Sequence, residues 1–108
     1  MEPQPVVKGM LDALVLRASS RASMHGFEIT EWIEERSGGA LELAEAAVYQ
    51  SLYRLEARGL IAAEWAVTPN NRRARYYSLT RAGRKALADE GANWERLSAA
   101  ISAIVRTV

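Results

Sequence analysis

The chain has 108 residues, 49% of them apolar and 25% charged, which are the proportions of one soluble globular domain rather than of a disordered or fibrous chain. It has no cysteine and one histidine, which excludes disulfide scaffolds, thiolate zinc sites, cysteine nucleophiles and histidine-rich metal sites; no metal or other cofactor is expected. Net charge is +1, no apolar run approaches the ~18 residues of a membrane helix, and residues 1–9 lack the basic-then-apolar order of a secretory signal, so the expected setting is the cytoplasm, with no membrane partner.

Apolar residues at Val7, Met10, Leu11, Leu14, Val15 and Ala18 fall on one helical face, so a first helix is predicted over 6–18. Pro5 would occupy its first turn, where a missing N–H costs nothing, and the polar stretch Ser19–Ser23 reads as a turn. Ser23 is the expected cap of a second helix that reaches about Ser37, with Phe27, Ile29, Trp32 and Ile33 as its apolar stripe and Gly38-Gly39 ending it. Leu41-Glu42-Leu43 alternates like a very short strand. A third helix is predicted over 45–58, with Val48, Leu52 and Leu55 on its buried face and Gly59 as its terminator. Ala46, Tyr49, Gln50, Tyr53 and Arg54 fall on its other faces, where two tyrosines and an amide beside an arginine suit a partner better than plain solvent.

Ile61, Ala63, Trp65 and Val67 then alternate with smaller or charged residues, and Arg73, Arg75, Tyr77 and Leu79 do the same after Thr68-Pro69-Asn70-Asn71. Two period-two runs around a Pro/Asn turn make a β-hairpin, with Asn70, Asn71, Arg72, Arg73 and Arg75 at or near its tip. Thr80 caps a last helix running almost to residue 108, roughly 40 Å if continuous through Gly91. Its apolar residues Leu87, Trp94, Leu97, Ile101, Ile104 and Val108 form a narrow seam with Glu90 at one position. The seam either folds back on its own domain or pairs with a second copy; the symmetric dimer is preferred, because so small a monomer has little surface to cover it.

The net charge hides a dipole. Residues 1–53 carry four basic and eight acidic residues, whereas residues 54–85 carry eight basic and two acidic ones. Such a concentrated positive region is either a solvated basic face or a polyanion site, and the order of elements bears on the choice. Three helices followed by a hairpin is the winged helix-turn-helix order, in which the third helix enters a major groove and the hairpin, the wing, lies along the backbone or minor groove of double-stranded DNA. The fold class expected is therefore mainly α with a small β-hairpin: a winged helix-turn-helix unit over 1–80 and a C-terminal dimerisation helix over 81–108.

The chain also resembles the PadR-type transcriptional regulators over 9–105. The matching segments are Gly9–Leu16, His25-Gly26-Phe27-Glu28-Ile29, Val48–Glu56 with Gly59-Leu60-Ile61, and Arg72–Thr80 with Gly83, while Trp94 stands where that family often has a tryptophan in its dimerising helix. The resemblance implies a homodimeric DNA-binding regulator, usually a repressor, of the shorter subgroup with one C-terminal helix, and it implies small aromatic effectors for some members. Gln50 stands where many members have proline, and Ala46-Ala47 where they often have a Gly-Thr or Gly-Ser pair, so the operator sequence does not carry over.

Ala46, Tyr49, Gln50, Tyr53, Arg54, Asn70, Asn71, Arg72, Arg73 and Arg75 are the DNA-contact candidates, the arginines for phosphate and Gln50 for an adenine edge. Tyr49 leads, with packing on the wing as its structural alternative, and Tyr53 reads as half buried. Tyr77 and Trp65 read as core, and His25 as a first-turn packing residue rather than a ligand. Trp94 is either an aromatic core residue of the dimer or, paired across the two-fold axis, the wall of a flat effector pocket. A winged-helix protein–protein module without DNA binding is the alternative function, although it calls for little charge on the wing. Catalysis is not expected: no Gly-rich phosphate loop follows a strand, and a Ser/His/Asp set would need His25 and scattered serines.

Overall fold

The computed structural model describes residues 4–5 and 10–107; the expectations for Val7, Gly9 and Val108 fall outside them. The elements are β1 (Gln4–Pro5), α1 (Leu11–Arg21), α2 (Gly26–Arg36), β2 (Leu41–Glu42), α3 (Glu45–Ala57), β3 (Ile61–Val67), β4 (Arg73–Leu79) and α4 (Arg81–Val105). Pro5 is not in a helical first turn: it lies in β1, which pairs parallel with β2, an edge position that tolerates a residue without an N–H. α1 extends through Arg21, three residues into the stretch expected to turn. Ser19 Oγ donates to the Val15 carbonyl at 2.9 Å and Ser20 Oγ to the Arg17 carbonyl at 2.6 Å, so both hydroxyls are satisfied within the helix.

The start of α2 is also set differently. Met24 exchanges backbone hydrogen bonds with Tyr77, which holds residue 24 in an extended bridge to the hairpin and delays the helix. His25, not Ser23, is the cap. Its Nδ1 accepts from Glu28 N–H and its own N–H donates to Glu28 Oε1, a reciprocal capping box. Ile29 and Ile33 bury the inner face of α2, while Phe27, about 200° round the helix from Ile29, is 59% exposed and leaves the expected stripe. Gly38 and Gly39 end the helix with positive φ, as expected.

Val48, Leu52 and Leu55 of α3 are wholly buried against Val15, Leu16 and Ile29, and this cluster is the core. At the far end of α3 the chain doubles back: Thr80 Oγ1 donates to the Gly59 carbonyl at 2.7 Å and accepts from Gly83 N–H at 3.0 Å, capping α4. A β-carbon on Gly83 would overlap the Leu60 carbonyl, so only glycine fits this crossing. α4 is continuous through Gly91, its 25 residues spanning roughly 37 Å. Leu87 packs against the chain's own core, whereas Trp94, Leu97, Ile101, Ile104 and Val105 are exposed. Among the described residues no helix is long and apolar enough to cross a membrane.

Candidate nucleic-acid interface

β3 and β4 pair in antiparallel register from Ile61 opposite Leu79 to Val67 opposite Arg73, and Asn71 takes φ 62° to close the turn. Thr68 N–H donates to the Arg72 carbonyl at 2.7 Å, and Arg72 N–H donates to Thr68 Oγ1 at 3.2 Å, which fixes the tip. One face of the hairpin begins in the core, with Ile61 and Tyr77 buried, and continues past it. Burial pushes the Tyr77 phenol above its ordinary pKa, so it is neutral and structural, as expected. Trp65 shares that face but lies where the hairpin has already outrun the helices; it is 58% exposed and is not a core residue.

Instead, Trp65 is a platform for cations. The Arg73 guanidinium lies 4.9 Å from its ring centroid and that of Arg75 6.0 Å away. Arg75 is further held by Glu56 of α3, Nη2 to Oε2 at 2.7 Å, and by the Tyr77 ring at 5.7 Å. It braces the wing against the third helix. Arg72 and Arg73 make no ion pair among the described residues.

The wing, α3 and the start of α2 enclose one groove. Tyr49 and Tyr53 line it from α3, Trp65, Asn70, Arg72, Arg73 and Arg75 from the wing, and His25, Gly26 and Phe27 from α2. Gly26 lets the two helices close: a β-carbon there would stand 2.7 Å from Tyr49 Cε1. Tyr49 is therefore partly buried against α2, and Tyr53 is 58% exposed rather than half buried. Glu28 and Glu31 form the acidic rim on the α2 side, and the Glu28 carboxylate is engaged in the capping box.

Four of the sequence candidates lie outside this groove. Ala46 and Gln50 are exposed on α3, on the face adjoining the tyrosine row, and Asn71 is exposed at the turn. Arg54 turns towards α1, donating from Nη2 to Asp12 Oδ1 at 2.7 Å, while Ser51 Oγ donates to the same oxygen at 2.6 Å. Partial burial alone would raise the Asp12 pKa, but the hydrogen bonds from Arg54 and Ser51 and the charges of Arg54 and Arg58 outweigh it and hold the carboxyl below its ordinary value. His25, Phe27 and Trp65 line the groove without having been singled out for it from the sequence. Their usable signal was the excess of aromatic residues at the two places where a helix start and a strand face the basic tip.

A third helix with a polar outer face, a basic β-wing beside it and a shared groove define a winged-helix DNA-binding transcriptional regulator. Residues 15–89 match the family described as transcriptional regulator PadR-like, and the chain belongs to that family. An uncharacterized protein from Lysinibacillus sphaericus is 27% identical over 89 residues, 82% of each chain. Among solved structures, a PadR family transcriptional regulator from Eggerthella lenta is 25% identical with a TM-score of 0.78, covering 94% of this chain and 86% of that one. A transcriptional regulator from Clostridium thermocellum shares the fold with a TM-score of 0.82 at 24% identity, over 92% of this chain and 93% of its own.

Proposed function

We propose that the protein is a homodimeric repressor that binds an inverted-repeat operator, with α3 in the major groove and the wing on the adjacent backbone. The observation that carries this reading is the convergence of Tyr49, Tyr53, Arg72 and Arg73 on one groove, beside the exposed Ala46 and Gln50 row of α3. Residues 1–80 serve as the DNA-binding unit and residues 81–108 as the dimerisation helix. The exposed Trp94, Leu97, Ile101 and Ile104 support that division, because a seam of this kind is stable in water only when covered. The protein acts in the cytoplasm, by binding rather than catalysis. Relief of repression by a small aromatic molecule between paired Trp94 side chains completes the proposal.

Selection of bound duplexes from a random pool, followed by sedimentation of the complex, tests it. The expected result is a palindrome with half-site centres about one helical turn (~34 Å) apart, bound by two chains. An asymmetric site bound by a single chain would overturn the dimeric reading, and affinity independent of salt would overturn DNA binding itself.

A further inference from the structure

The acidic segment 1–53 has four basic residues, Lys8, Arg17, Arg21 and Arg36, and the last three of them line one cavity. This cavity of about 500 Å³ lies between α1, α2 and β2, at the opposite end of α2 from the DNA groove. Its volume falls in the range of small-molecule sites. Leu14, Leu41 and the partly exposed Trp32 supply apolar wall, and among the described residues no lining residue is acidic. None of the three arginines is in an ion pair among the described residues. Arg21 and Arg36 each stand in the last turn of a helix, where a cation complements the helix dipole. That favours an arginine at each end separately; it does not account for both of them, with Arg17, ringing one indole-walled cavity.

We propose that this cavity binds a single-headed amphipathic anion, a medium-chain alkyl carboxylate, with its chain against Trp32, Leu14 and Leu41 and its headgroup held by the arginines. Guanidinium groups match a carboxylate in geometry as well as charge, and the largely apolar wall disfavours a polyanion. A second copy of the chain is a poorer occupant. The exposed second half of α4 with its cap, the segment with unburied apolar surface to place, carries Arg96 and Arg106 against the single Glu95, and that net positive charge would meet the three arginines.

The test uses the full-length protein without DNA, so its outcome is separate from that of operator binding. Decanoate, kept below its micelle-forming concentration, is titrated while the indole N–H signals of the three tryptophans are followed by NMR, with Trp32→Phe assigning one of them. The Trp32 signal is expected to shift saturably while those of Trp65 and Trp94 hold. 1-Decanol and inorganic phosphate should each bind at least about tenfold more weakly to the wild-type protein, as should decanoate to an Arg17→Gln/Arg21→Gln/Arg36→Gln variant. Movement of Trp94 in place of Trp32, or decanol or phosphate binding as tightly as decanoate, overturns the proposal without recourse to any arginine variant. So does unchanged affinity in the triple variant, or a monomer–dimer equilibrium moved by those substitutions in the absence of ligand, which would make the cavity a subunit contact.

Discussion

The Tyr49 ring packs on Gly26 so closely that a β-carbon at position 26 would stand 2.7 Å from its Cε1 and 2.9 Å from its Cζ. These are outer atoms of a side chain, so Gly26→Ala is expected to swing the ring rather than shift the backbone. Overpacking costs about 1–3 kcal/mol, partly offset by the ~1 kcal/mol by which alanine is the better helix residue. Thermal melts should therefore fall by no more than roughly ten degrees, while operator affinity, read by fluorescence anisotropy, falls because Tyr49 leaves its place in the groove. In a Tyr49→Ala background, Gly26→Ala should leave operator affinity unchanged and raise the melting temperature slightly, because only the gain in helix propensity remains.

Asp12 makes stability depend on pH in a defined direction. Its folded pKa is depressed, so the group stabilises the fold above the ordinary aspartate range and loses that contribution as pH falls through the folded pKa. Asp12→Asn keeps an oxygen for Ser51 Oγ but removes the charge that Arg54 meets. Chemical denaturation should find the variant less stable than wild type at neutral pH. The gap should stay constant down to about pH 5 and close as pH falls below about 4. A gap that widened in acid would contradict the assignment.

The wing arginines should separate by role. Arg72→Ala and Arg73→Ala each remove a cation with no carboxylate partner among the described residues, and each should flatten the slope of log affinity against log salt by about 0.9. Arg75→Ala should act chiefly on the wing's anchorage through Glu56. A thermal double-mutant cycle of Arg75 and Glu56 is expected to give a coupling of about 1 kcal/mol or less, since both side chains are partly exposed. A salt slope falling as far for Arg75→Ala as for Arg73→Ala would remove the distinction.

These roles mark how far the sequence could be read. The hairpin was legible residue for residue, because alternation about Pro69-Asn70-Asn71 is a local signal and Asn71 takes the positive φ that asparagine tolerates. Thr80 as a cap was legible for the same reason. Trp65 lies outside the core that its alternation suggests, and Phe27 off the buried stripe, because periodicity assigns a face but does not show where along that face the core ends. The relative exposure of Tyr49 and Tyr53 turned on Gly26, whose missing side chain draws the first ring inward from another helix. Arg54 was a free cation in the sequence because its partner, Asp12, lies 42 residues away and no pattern in the chain links them.

The exposed seam of α4 yields the sharpest test of assembly. Leu97 and Ile101 are 45% and 48% exposed and lie beyond the residues that pack on the core, so Leu97→Glu/Ile101→Glu should leave the fold of a single chain intact. Circular dichroism should show the helical content of the wild type. If a second copy covers the seam, four carboxylates would be brought into an apolar contact, and sedimentation should find monomers where the wild type gives dimers. Joining two DNA-binding units makes the second half-site encounter intramolecular, so losing the joint should weaken binding to a two-half-site operator by about 10²-fold or more while leaving binding to an isolated half-site unchanged. A variant that stays dimeric would show that the subunits meet elsewhere, and one that loses half-site binding as well would show that α4 supports the groove directly.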